Sequence, residues 1–260
     1  MSAAAAASAT SASRLPAQLV GATSVLAVVA AVEFLIRAGA INAFVIPLPS
    51  QVIAAIPRIV VEEHIPARFW QTSKEMLWAA LLLATVGIAL GALLYRVRLL
   101  RLATETWVGA LAAAPIVLLF PLFLVIFGRS ATTIVMIGFC AGLAPVILKT
   151  VEGLAGTRPV LIDVGRSLKL TRRQQFWKIL LPSALPTVFV GMRLGLVFAM
   201  INIVGVEYLI NFGGLGQLVN DLAERYDLPG TYAAILFVVL ASVLFFDVTE
   251  RLERWLRPHR

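Results

Sequence analysis

Long apolar stretches separated by short polar segments dominate the chain. Six of them stand out, over about 18–37, 75–95, 107–127, 131–148, 187–206 and 231–248. Each is long enough to cross about 30 Å of hydrocarbon at 1.5 Å per residue. Backbone amides in lipid must find partners within their own segment, so these runs predict helices. The alternation that marks a transmembrane strand is absent. The expected fold class is therefore all-α: a polytopic membrane protein with six transmembrane helices. Residues 1–17 are a low-complexity segment expected to be disordered. Residues 18–250 form one membrane domain with an inner loop at 149–186, and 251–260 form a basic tail. The run from Leu19 to Ile36 exceeds the apolar core of a signal peptide and reads as a retained span.

Composition agrees: 60% of residues are apolar and only 14% charged, with a mean hydropathy of +0.92. A soluble domain carries about a quarter charged residues. The single cysteine, Cys140, lies inside an apolar run, so no disulfide can form within the chain. The net charge of +8 raises the question of nucleic acid, but its distribution fits membrane topology. With both termini cytoplasmic, the inner segments hold Arg14, Arg96, Arg98, Arg101, the cations of 149–186, and Arg251, Arg254, Arg257 and Arg260. The outer segments hold Arg37, Arg58, Arg68, Lys74, Arg129 and Arg225. That bias sets the orientation.

Two outer segments are long enough to fold. Ser50 can cap a helix in which Val52, Ile53, Ile56 and Ile59 recur at helical spacing, a pattern suited to the membrane surface. Gly213, Gly214 and Gly216 suit a tight turn that brings backbone close to a neighbour, and Asp221, Glu224, Arg225 and Asp227 keep the following stretch wet. The inner loop carries two helix starts. Thr157 with Pro159 opens one short helix, and Thr171 with Gln174 forms a capping box that opens a second, which Pro182 is expected to stop. In the first helix Val160, Leu161, Val164 and Leu168 share one face, and Asp163, Arg166, Ser167 and Lys169 the other. So short a helix needs a dock: its own bundle, the lipid surface, or a soluble partner.

The order Asp163-Val164-Gly165, Lys169, Ile179-Leu180-Leu181-Pro182 has the spacing of the EAA signature of ABC-importer membrane subunits, and the chain resembles that family. The signature has Glu-Ala-Ala where this chain has Asp-Val-Gly, and a glycine where it has Lys169. Leu48-Pro49-Ser50, Ala114-Pro115, Phe120-Pro121-Leu122, Phe127-Gly128, Glu207 and Gly214-Leu215-Gly216 follow in the order of the nitrate/sulfonate/taurine-type branch, so the resemblance runs from about residue 45 to 255. It implies the type I importer permease fold in the bacterial inner membrane. It also implies a dimer of permeases forming a pore, an ABC ATPase dimer in the cytoplasm, and a periplasmic or lipid-anchored binding protein outside. The residues it places against the ATPase are Val160, Leu161, Asp163, Val164, Gly165, Arg166, Leu168 and Lys169. The binding-protein contact falls on Gly213, Gly214 and Gly216. The chain would hold no cofactor, no metal and no catalytic residue, with ATP and Mg in the partner ATPase. Implied substrates are small anions such as sulfonate, taurine, nitrate or aromatic carboxylates.

Polar groups within the apolar runs call for explanation, because a charge at mid-bilayer costs about 2.5–3.5 kcal/mol. Arg193 can snorkel to the inner headgroups. Glu207 can line the pore mouth, contact the binding protein or reach outer water, and Asn202 lies on a different face of the same helix. Glu33 can pair with Arg37 at i+4. Pro115 and Pro121 either kink the third span or, with Phe120, help line the pathway. Gly87/Gly91 and Gly191/Gly195 suit close helix packing, within the chain or at the subunit interface. An ion-coupled secondary transporter is the alternative function; it predicts inverted repeats and more buried carboxylates, and no internal repeat is visible.

Overall fold

A computed structural model describes residues 17–42 and 44–256; the expected disorder of 1–16 and the end of the basic tail, 257–260, lie outside them. Among the described residues the chain forms ten helices: α1 Ala17–Arg37, α2 Pro49–Glu62, α3 Ile65–Arg96, α4 Arg98–Ala113, α5 Phe120–Phe127, α6 Ala131–Ala155, α7 Pro159–Ser167, α8 Arg172–Ile210, α9 Gly214–Glu224 and α10 Leu228–Leu256. Five of these are long and apolar enough to span, and the bent pair of Arg98–Ala113 with Ile116–Phe127 makes a sixth if it is counted as one span.

Helix α6 is the axis of the bundle. In its most apolar stretch 56% of residues are buried, against 6% for the peripheral α1. Its main partner is α8. The two backbones meet at glycines: a Cβ placed on Gly142 would lie 2.5 Å from the carbonyl oxygen of Gly195, and one on Gly195 would lie 2.8 Å from that of Gly142. On another flank of α6, Gly87 and Gly91 of α3 meet Val146 and Thr150. Both glycine pairs seen in the sequence therefore pack within the chain against α6, Gly195 on Gly142 and the others on Pro145, Val146, Lys149 and Thr150, while Gly138 of α6 takes Ile203 of α8; the α6 glycines are ones that the sequence pattern did not single out. Ile134, Ile137, Leu83 and Ile203 fill the fully buried core beside this seam.

Several boundaries differ from the sequence expectation. The second span begins at Ile65, well before residue 75, because its polar first turns are covered by α8 and α9. The third is bent by 92° at Ala114 and Pro115, where the proline holds Ala114 extended (φ −73°, ψ 132°). The second loop helix does not stop at Pro182 but runs on as α8. A π turn, Phe176–Leu180, precedes the proline, which then falls in the first turn of a new α segment where an amide is not needed.

Helix α2 does not lie with its apolar face on lipid. Ile59 is fully buried, and it packs with Ala55 against Leu218, Leu222, Ala233 and Ala234 of α9 and α10; only Ile53 of the expected stripe points outward. Leu48, not Ser50, is the N-cap. Ser50 instead gives its N–H (3.1 Å) and hydroxyl (2.8 Å) to Glu33, which also takes the expected bond from Arg37 at 2.6 Å. Ion pairs clasp this outer layer: Arg58 with Asp227 at 2.5 Å, Arg68 with Asp221 at 2.9 Å, and Arg225 with Glu63 at 2.6 Å. These are the cations that the charge bias left on the outer side.

Gly142→Ala is expected to lower the thermal midpoint of the purified protein by at least about 3 °C, because the new methyl meets backbone that cannot yield. Gly21→Ala, where the methyl meets nothing within 4 Å, is expected to leave it unchanged.

Candidate functional site

The inner loop folds into a compact hairpin of α7 and the start of α8. Arg158, extended at φ −56° and ψ 128°, takes the N-cap position of α7, and Thr157 beside it is buried instead of capping. Pro159 follows in the first turn as its fixed φ favours. Helix α7 ends in a Schellman motif: the amide of Leu170 donates to Gly165 O (3.0 Å) and that of Lys169 to Arg166 O (2.9 Å). Lys169 is left-handed, at φ +52°. This is the position where the signature carries glycine, and the backbone still has the shape that glycine serves. The capping box forms as the sequence predicts, with Thr171 Oγ1 accepting from Gln174 N at 3.3 Å and Gln174 Oε1 from Thr171 N at 2.9 Å.

One side of α7 is anchored. Gly165 is buried, and a Cβ there would lie 2.6 Å from Ile179 Cδ1 on the π turn. Gln175 Nε2 donates to Ile162 O at 3.3 Å. The opposite side is bare. Val160 and Leu168 are 62% and 67% exposed, and Leu161 and Val164 lie open between them. Asp163 and Arg166 pair with each other at 3.0 Å on the helix surface. Of the eight residues expected to face a partner, only Gly165 is turned into the chain.

The outer end of α8 carries a second constellation. Helix α8 stops at Asn211, left-handed at φ +49°, and Gly213 (φ +121°) and Gly214 (φ +84°) turn the chain into α9. Glu207 is fully buried under that turn. Its Oε1 accepts from Thr72 Oγ1 (2.7 Å) and its Oε2 from the amide of Gly216 (2.8 Å). Thr72 Oγ1 accepts in turn from the amide of Leu215 at 2.9 Å. A carboxylate thus sits at the N-terminus of α9, where the unpaired amides and the helix dipole favour it. Glu75, also buried, lies against Glu207, and Gln71 donates to Phe212 O at 3.1 Å.

This arrangement corrects two expectations. Glu207 does not line an open path in this structure; it is the clamp between α3, α8 and α9. Gly214 and Gly216 are buried and offer no surface to a partner: a Cβ on Gly214 would lie 2.1 Å from Glu207 Oε1, and one on Gly216 would lie 2.2 Å from Val204 O. Gly213 is half-buried against Gln71. Thr72, Gln71 and Glu75 were not foreseen. Their signal was a run of polar residues inside a stretch that continues as a span.

Arg193 reaches a partner near the end of the last helix. It pairs with Glu253 of α10, and its guanidinium lies 5.3 Å from the centre of the Phe246 ring. The remaining expected pathway residues are open at least in part: Pro115 and Pro121 are exposed at the α4–α5 bend, Phe120 is half-buried there, and Asn202 is half-buried and bonds Phe198 O at 2.9 Å in its own helix.

Lys169→Gly is expected to stabilise the protein by about 1 kcal/mol, read as a rise of roughly 2–4 °C in thermal midpoint, since it removes a side chain from a left-handed backbone. Gly214→Ala is expected to cost about 2 kcal/mol or more, because it adds the contact with Glu207 to the cost of φ +84°. Gly39→Ala isolates the backbone cost alone, with φ +75° and nothing within 4 Å; equal losses at the two positions would show that Glu207 does not clamp the turn.

Over residues 83–259 the chain matches the family of the binding-protein-dependent transport system inner membrane component. It is 28% identical over 175 residues to the formylaminopyrimidine transport permease protein ThiX of Halalkalibacterium halodurans, covering 67% of this chain and 70% of ThiX. It is 25% identical over 222 residues to the putative aliphatic sulfonates transport permease protein SsuC of Bacillus subtilis, covering 85% of this chain and 80% of SsuC. Its fold is similar to a chain of the MetNI methionine ABC transporter in an inward-facing conformation, with a TM-score of 0.64 at 19% identity over 73% of this chain and 94% of that one. Six crossings, the spacing of the inner-loop signature and the motif order along the spans agree with these likenesses. The chain belongs to the binding-protein-dependent transport system inner membrane component family, in the nitrate/sulfonate-type branch, and is a membrane-spanning permease component of an ABC importer and not itself an enzyme.

Proposed function

We propose that two copies of this chain form the translocation pathway of the importer and that each couples to a cytoplasmic ABC ATPase through α7. The observation that carries this reading is the bare apolar stripe of Val160, Leu161, Val164 and Leu168 on a helix whose other side is fixed to α8. A groove on the ATPase would cover that stripe, at about 1.5–3 kcal/mol for each side chain fully buried. Asp163, Arg166 and Lys169 flank it and give the contact polar edges. ATPase closure would then move α7, and the π turn would pass the motion into α8. The chain itself would bind no nucleotide, ATP and Mg being held by the ATPase.

Orientation follows from the loop: α7 and both termini lie in the cytoplasm and the α2/α9 layer faces outward, where a periplasmic or lipid-anchored binding protein delivers substrate. Pro115, Phe120, Pro121 and Asn202 are the pathway candidates that remain once Glu207 is assigned to the clamp. The contact with the binding protein passes from the buried glycines to the surface of α9. Likeness to SsuC supports a small organic or inorganic anion as substrate, such as a sulfonate, taurine, nitrate or an aromatic carboxylate; likeness to ThiX supports a pyrimidine as the second reading.

Val164→Asp with Leu168→Asp is expected to leave membrane insertion intact and to reduce the ATPase copurified per permease by about tenfold or more, the effect of losing ~1.4 kcal/mol of binding. Undiminished copurification would remove the docking role. Solute uptake into vesicles that contain this chain and no ATPase would favour the ion-coupled alternative.

A further inference from the structure

The inner ends of α3 and α8 enclose an open groove of about 990 Å³, the size of a site that takes a whole small ligand. Its composition changes along its length. Leu93, exposed on the spanning part of α3, forms an apolar wall. Tyr95 and Trp177 come next, the residue types that settle at a membrane–water boundary. Arg96, Arg172 and Arg173 form the rim.

Nine of the nineteen described Lys and Arg residues pair with a carboxylate, and these three arginines, gathered on one groove, are among the ten that do not. All are exposed, and among the described residues none lies within ion-pairing distance of a carboxylate. Arg58, Arg68, Arg193 and Arg225 each have one. Arg172 and Arg173 also occupy the first turn of α8, where the helix dipole disfavours positive charge. A third guanidinium beside them raises the mutual repulsion, and a bound anion would relieve all of it. The anion must also suit the rest of the groove. An acidic protein surface would satisfy the rim but has no acyl chain to lie along Leu93. A molecule with an anionic head and an apolar tail satisfies both.

We propose that this groove is a binding site for an anionic glycerophospholipid, with its phosphodiester among Arg96, Arg172 and Arg173 and its acyl chain along Leu93. Only the choice of the inner leaflet rests on the orientation proposed above. Headgroup binding does not, and it is independent of whether α7 docks an ATPase.

The test uses the full chain purified in mixed micelles of equal phosphatidylglycerol and phosphatidylcholine, with retained lipid counted by native mass spectrometry. The wild-type chain is expected to retain phosphatidylglycerol about tenfold over phosphatidylcholine. R96Q/R172Q/R173Q is expected to bring that ratio to within about twofold, while R98Q/R158Q/K178Q, which removes as many charges outside the groove, keeps it. Equal retention of the two lipids by the wild-type chain would overturn the proposal without reference to any variant. Preference that survives in R96Q/R172Q/R173Q would overturn it as well. So would protection against heat by inorganic phosphate equal to that by phosphatidylglycerol, since the site would then take a free anion and not a lipid.

Discussion

The close approach of α6 and α8 at Gly142 and Gly195 is the contact on which the rest of the bundle depends. Between helices in lipid the hydrophobic effect offers no drive, because the tails are as apolar as leucine. What remains is shape: dispersion between surfaces that meet without gaps. Paired glycines let two backbones touch, so the flanking side chains Ile134, Ile137 and Ile203 close over the seam. Helix α3 uses the same device against another flank of α6, through Gly87 and Gly91. Glycines on one or both sides of each contact thereby let α6 fix the two longest spans relative to each other.

That fixed centre holds two ends of opposite character. The outer end is closed: Glu207 is sealed beneath the start of α9, and ion pairs join α2, α3, α9 and α10 around it. Both oxygens of Glu207 have partners there, while Glu75 Oε2 is buried without one. The inner end is unfinished. Helix α7 is tied to α8 on one side and presents apolar side chains to water on the other, a combination that a lone domain would be expected to avoid. Buried acids at one end and bare valines and leucines at the other are each unusual in isolation. Together they fit a component that is rigid where it must keep its own shape and incomplete where it meets a partner.

Much of this was readable from residue order. Local patterns carried over: the apolar runs became helices, Thr171 and Gln174 formed their box, Glu33 met Arg37, and the α7 stripe was both amphipathic and bare. The departures share a cause, which is pairing between residues far apart in sequence. Arg68 and Thr72 look like loop residues until Asp221 and Glu207, well over a hundred positions away, come to meet them. Nothing near Arg193 in sequence announces Glu253, sixty positions away, as its partner. Pro182 reads as a stop because nothing local announces a π turn. The glycines after α8 do bring backbone close to a neighbour as their pattern suggests, but which neighbour, a carboxylate and a carbonyl of the same chain, depends on what packs beneath them.

Helix α8, its π turn included, runs for 39 residues, about 58 Å, from the inner loop to the Glu207 clamp. Each residue along it turns the rod by about 100°. The direction in which Glu207 points is therefore set by the count of residues from the Gly195 seam, and so is the direction in which the π turn meets α7. Insertion or loss of a single residue in this helix would swing one end out of phase with the other while leaving composition, hydropathy and length almost unchanged. Side chains along α8 are free to drift within the limits of packing, but its numbering is locked, and in that sense the helix works as a ruler as well as a strut.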